Sequence, residues 1–136
     1  MSVLAYMGYY YYDVTYLLVI LGAVLSMIAS AQVNSTFKRY SRVRSGCGMT
    51  GAEAAERILY RNGLTNVRIE HISGNLTDHY DPSSKVLRLS DATYNATSVA
   101  AVGVAAHECG HAVQDARGYA PLKFRSALVP AANFGS

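Results

Sequence analysis

The sequence predicts an α+β domain carried on an N-terminal transmembrane helix. An uncharged apolar run near the N-terminus is long enough to cross a bilayer, and the residues beyond it show two helical patterns flanking a stretch of strand-like alternation. Within the second helical pattern stands His107-Glu108-Cys109-Gly110-His111, a spacing that carries chemistry as well as structure. These features divide the 136 residues into an N-terminal segment at 1–37, a basic juxtamembrane linker at 38–49 and a domain at 50–136.

No residue between positions 14 and 37 is charged, and positions 16–31 read Tyr-Leu-Leu-Val-Ile-Leu-Gly-Ala-Val-Leu-Ser-Met-Ile-Ala-Ser-Ala. A helix of about 20 residues crosses the hydrocarbon, which sets the span at about 14–34. Tyr9, Tyr10, Tyr11, Tyr12 and Tyr16 form an aromatic belt at one interface, where Asp13 is the lone charge, while Lys38, Arg39, Arg42 and Arg44 crowd the other end. The positive-inside bias places that basic flank, and the domain after it, in the cytoplasm, with a single pass through the cell membrane. Ala29-Ser30-Ala31 also fits a signal-peptidase site, which would make the chain an exported one. Against export, no Lys or Arg precedes the apolar run and the basic cluster follows it. The net charge of +3 comes mostly from this cluster, so membrane lipid with an anionic surface, rather than nucleic acid, is the expected contact. Cys47 and Cys109 do not make a disulfide framework and read as reduced thiols.

The domain opens with Thr50 and Glu53 in a capping-box spacing, ahead of a short amphipathic helix at 52–60 with Ala55, Ile58 and Leu59 inward and Asn62-Gly63 ending it. Positions 67–72, Val-Arg-Ile-Glu-His-Ile, alternate as a strand does; Ser73-Gly74-Asn75 is a turn, and 85–89 is apolar enough for a further strand. The expectation is a small antiparallel sheet between two helices. His71 is then a residue of the polar strand face. The second helix starts near Asn95 or Thr97 as cap and stops at Gly118. Its small residues, among them Ala101, Gly103, Ala105 and Gly110, predict a buried helix that a neighbour approaches closely.

On that helix His107 and His111 lie on one face with a rise of about 6 Å, so both imidazoles can reach a single ion. Glu108 projects about 100° away from His107, placed to take a proton from water at a metal without being a ligand. Buried imidazoles need a compensating partner, and Zn2+ supplies one. Cys109 points off the histidine face and reads as a small packing residue. Asp115, one further turn on, lies about 12 Å along the axis from His107, too far for a short carboxylate to converge with both rings. His79 reads as a loop histidine tied into a turn by Asp78 and Asp81, or as a substrate-side group, in preference to a ligand. Tyr80 is a candidate hydrogen-bond donor to a reaction oxyanion. The strand at 85–89 can pair with an extended peptide if it forms the edge of the cleft.

Several segments together carry a family resemblance: Ser-Gly-Cys-Gly-Met-Thr-Gly at 45–51, Ala-Ala-Glu-Arg-Ile-Leu at 54–59, Asn-Gly-Leu at 62–64, Gly-Asn-Leu-Thr-Asp-His-Tyr-Asp-Pro at 74–82, Lys-Val-Leu-Arg-Leu-Ser at 85–90 and Ala-Ala-His-Glu-Cys-Gly-His-Ala-Val-Gln at 105–114. The chain resembles the bacterial membrane-bound neutral zinc metallopeptidases called YugP-like, from the anchor to its last residue. The resemblance implies a prokaryotic membrane peptidase with a minigluzincin-like domain, hydrolysing peptide bonds in a peptide or protein substrate. It makes His107 and His111 zinc ligands and Glu108 the general base. Gluzincins take a third ligand from a Glu on a later helix. Here no Glu follows Glu108 and no His follows His111, so the chain reads as a piece incomplete at its C-terminus, with that ligand beyond residue 136. The alternative is a membrane-tethered metal-binding or partner-binding module that is catalytically weak or inactive.

Overall fold

The structure, a computed structural model, describes residues 3–134; the side chains at 3–13 and 131–133 fall outside the described set, and with them the aromatic belt expected at Tyr9, Tyr10, Tyr11 and Tyr12. Two compact units make up the chain, Met1–Arg39 and Tyr40–Ser136. The first is helix α1, Val3–Tyr40, which runs past the expected span and carries Lys38 and Arg39 in its last turn. Its stretch Val14–Tyr40 is long and apolar enough to cross a membrane. Leu17, Leu18, Val19, Leu25 and Met27 stand exposed along it, apolar surface that water disfavours and a bilayer accepts.

The second unit is a mixed helix and sheet domain. Helix α2, Gly51–Arg61, starts in the predicted capping box: the Thr50 hydroxyl accepts from the Glu53 amide at 3.2 Å, and the Glu53 carboxylate accepts from the Thr50 amide at 2.8 Å. Gly51 is there because a Cβ would lie 2.2 Å from the Thr93 carbonyl oxygen, closer than any side chain tolerates. The helix stops at Asn62, and Gly63 takes a φ of +71°, as its place past the end predicts.

Strands β1, Arg68–Ile72, β2, His79–Asp81, and β3, Val86–Ser90, form one sheet in the order β1-β3-β2. The sheet corrects the expectation of an antiparallel one: β1 runs parallel to β3, with Ile69 opposite Leu87, and only β2 is antiparallel to it. A short third strand, which His-Tyr-Asp does not announce by alternation, sits on the far side of β3 and leaves β1 to fill the other edge. The hairpin between β2 and β3 is built by polar chemistry. Asp81 accepts from the Ser83 amide and from both the Ser83 and Ser84 hydroxyls, and Lys85 turns the chain at φ +54°.

A single turn, α3, Asp91–Tyr94, separates the sheet from helix α4, Val99–Ala116. The cap of α4 is Ser98, whose hydroxyl accepts from the Ala101 amide at 3.1 Å, in place of Asn95 or Thr97. Thr97 instead offers its carbonyl to the Ser45 amide at 2.8 Å. Val43 accepts from the Val99 amide at 2.8 Å, so residues 43–45 lie antiparallel against the start of α4. The stop at Gly118, φ +68°, is where the sequence puts it. Helix α5, Ala120–Phe134, follows.

Helix α4 is buried along one stripe, Ala101, Ala105, Cys109 and Ala112, rather than all round. That stripe packs with Ala55 and Leu59 of α2 and with Leu87 and Leu89 of β3 into the core. Cys109 fills space there, its thiol reaching the Ala55 carbonyl at 3.6 Å, and both cysteines are free. Gly103 and Gly110 meet no neighbour where a Cβ would stand, so the close approach expected at them occurs along the alanine stripe instead.

Candidate metal centre

The i,i+4 spacing on α4 brings the His107 and His111 Nε2 atoms to 3.2 Å, with the rings edge to face and their centroids 4.7 Å apart. One ligand atom from each of His107, Glu108 and His111 falls within 4.8 Å of the others. His107 is exposed, and Glu108 and His111 are half-buried. The burial expected to demand a compensating ion therefore acts on Glu108 and His111, while His107 meets solvent. Burial is also the main force on the Glu108 carboxyl, holding it above the usual carboxylate range against the opposing pull of His111, His107 and the Tyr80 backbone amide.

That last contact places β2 beside the site. Tyr80 meets α4 through its hydroxyl, which donates to Asp115 Oδ2 at 2.9 Å, while its backbone amide is near enough to Glu108 to favour the ionised carboxylate slightly. Asp115 also pairs with Lys85, and both partners hold its carboxyl below the usual range, the lysine more strongly. Asp115 is thus spent on joining the β2–β3 hairpin to α4 and stays out of the three-residue group, as its distance along the helix predicts. Burial and the Asp115 carboxylate push the Tyr80 phenol well above its ordinary range, so the hydroxyl keeps its hydrogen on Asp115.

His79 lies in a strand and not in a turn. Its Nδ1 bonds the Thr77 carbonyl at 2.8 Å and its Nε2 sits 3.4 Å from Arg88, on the sheet face away from the core. The aspartates that were to hold it do other work. Asp78 accepts from the Ser90 amide and hydroxyl, each at 2.8 Å, and Asp81 builds the hairpin. His71 is more than a polar-face residue, for it stacks on Tyr94 at 4.7 Å and bonds Asp91 at 2.7 Å. A separate groove of about 670 Å³ lies against α2 and β1, lined by Leu59, Tyr60, Leu64, Val67 and Ile69 among others; it holds none of the metal-group residues.

Sequence reasoning missed Gln114, whose Oε1 lies 3.2 Å from His111 Nδ1. Its signal was the i+3 spacing from His111, which stacks side chains on a helix. The backbone of Tyr80 carried no signal at all, since only pairing to β3 brings it to Glu108.

The comparisons with known proteins agree with this chemistry. Residues 15–136 match the family described as "Putative neutral zinc metallopeptidase". The chain is 47% identical over 112 residues to the "Putative membrane protease YugP" of Bacillus subtilis (strain 168), an alignment that takes in 82% of this chain and 50% of that protein. It thus spans about half the length of the curated relative it matches. No solved structure matches it.

Proposed function

The chain belongs to the neutral zinc metallopeptidase family, and from that premise we propose that it is a membrane-anchored peptidase hydrolysing peptide bonds in peptide or protein substrates at a zinc held by His107 and His111, with Glu108 as general base. The observation that carries this reading is the 3.2 Å separation of the two Nε2 atoms with a half-buried carboxylate beside them. The residues fit the ion: two imidazole nitrogens at about 2.0–2.1 Å from a tetrahedral zinc stand about 3.3 Å from each other. A catalytic zinc takes three protein ligands and leaves the fourth position open. Among the described residues no His, Cys, Asp or Glu besides Glu108 joins the two histidines; with Glu108 kept as the base, we assign the third ligand to a residue outside them. The domain belongs, in this reading, with the minigluzincins.

Zinc, when bound, polarises the scissile carbonyl and brings the pKa of water toward about 7. Glu108 takes a proton from the attacking water and passes it to the leaving amine, a role that a carboxyl raised by burial suits near neutral pH. The substrate lies along β2. The central strand β3 has both edges taken, by β1 and β2, so it cannot receive a peptide as the sequence suggested. One edge of β2 is paired to β3, and Tyr80 on this strand carries the amide that acts on Glu108. An extended peptide added there runs past the general base. His79 and Tyr80 serve this strand, Tyr80 through its tie to Asp115.

The test is metal content. Purified in detergent, these 136 residues are expected to bind zinc weakly, and a form that also carries the third ligand to hold a single zinc that a chelator removes together with hydrolysis; both forms staying metal-free in zinc-containing buffer overturns the reading.

The basic flank of Lys38, Arg39, Arg42 and Arg44 supports a reading in which α1 lies in membrane lipid and the domain faces the cytoplasm of a prokaryotic cell. A reporter fused beyond residue 45 should be active only if it is of the cytoplasmic kind. Periplasmic activity, or cleavage after Ala31, establishes export instead.

A further inference from the structure

We propose that Gln114 is a positioning residue that fixes the tautomer of His111 and so prepares its Nε2 for the metal, an inference that rests on the zinc reading above. A neutral imidazole carries one N–H, and only its bare nitrogen binds a metal. His111 has its two nitrogens in different company. Nε2 faces His107 Nε2 at 3.2 Å, and Nδ1 faces Gln114 Oε1 at 3.2 Å. An amide oxygen only accepts, so Nδ1 donates to it, the ring hydrogen resides on Nδ1, and Nε2 is left bare toward His107.

The opposite orientation of the Gln114 amide, with its NH2 donating to a bare Nδ1, would put a hydrogen on Nε2 and aim it at the other ligand nitrogen. That arrangement excludes the ion, whereas the one described admits it. Gln114 comes one turn after His111 on the same helix, so the partner moves with the ligand and its position does not depend on substrate or on another segment. In metal sites such outer partners orient the ring and raise its basicity, and their loss costs about 10–100-fold in metal affinity.

The experiment uses the whole chain in detergent and two readouts. Zinc affinity is measured by chelator competition for the wild type, Gln114→Leu and Gln114→Glu, and the tautomer of His111 is read from its ring 15N shifts in metal-free protein at a pH where the ring is neutral. Gln114→Leu is expected to weaken zinc binding by about 10–100-fold and to release His111 from the Nδ1–H form. Gln114→Glu, which still only accepts, should keep both affinity and tautomer. Gln114→Met takes the place of the Leu variant if that protein does not fold. Equal affinity and an unchanged Nδ1–H signal in the Leu variant overturn the proposal. If the wild type binds no zinc, the metal reading fails, yet the 15N shifts still decide whether Gln114 sets the tautomer.

Discussion

Glu108→Gln should lower peptide hydrolysis by about 10²–10⁴-fold relative to the parent protein while leaving its zinc in place, because proton transfer by a positioned carboxylate contributes about that much to a rate. The amide keeps the shape of the carboxylate, but it cannot take a proton from water. His111→Ala separates the two roles from the other side. It removes one of the two nitrogens that stand 3.2 Å apart and should lose the metal itself, and hydrolysis with it. Zinc content by atomic emission and turnover of an unstructured protein substrate, measured on both variants, check the assignment. Zinc lost from Glu108→Gln and retained by His111→Ala would mean that the carboxylate is a ligand and the second histidine is not. Unimpaired turnover in Glu108→Gln would remove Glu108 from the chemistry.

Much of this was legible because it is local. The capping box at Thr50 and Glu53, the glycine stop at Gly118 and the i,i+4 histidines each depend on residues within a turn or so of one another, and the apolar run needs only its own composition. What the sequence concealed depends on partners far along the chain. Alternation at 67–72 says that a strand exists and says nothing of whether its neighbour runs parallel, a choice set by where β2 lies. Strand β2 itself is too short to show a period, and its polar ends are used by Arg88 on the outer sheet face. The cap of α4 went to Ser98 over Thr97 because Thr97 gives its carbonyl to Ser45, more than 50 residues earlier. At the site, the side chains of α4 were readable by spacing, whereas the Tyr80 amide beside Glu108 follows from sheet pairing alone. The family resemblance supplied the chemistry of the group, but the tie from Tyr80 through Asp115 to Lys85 had to be seen.

Leu87→Ala should destabilise the domain by about 2–5 kcal/mol, the range for deleting a buried leucine side chain without collapse around it. Leu87 is wholly buried in the central strand and belongs to the core cluster, with Ala55 of α2 and Ala105, Cys109 and Ala112 of α4 as members. These partners decide where in the range the loss falls. The alanines and Cys109 are too short to swing into the space, so among the buried members of the cluster only Leu59 and Leu89 can relax toward it. A cavity therefore persists beneath the helix that carries the histidines. For a domain of this size each kcal/mol lowers Tm by about 4–8 °C, so the variant should melt at least about 8 °C below the parent. Arg88→Ala, on the opposite sheet face, breaks partly exposed pairs with Glu70 and Asp81 and should cost on the order of 1 kcal/mol or less. Thermal melts of the two variants, followed by circular dichroism in the same detergent, make the comparison. Equal melting temperatures would show that the alanine stripe of α4 closes over the gap, and that the core beneath the metal centre is less rigid than its packing implies.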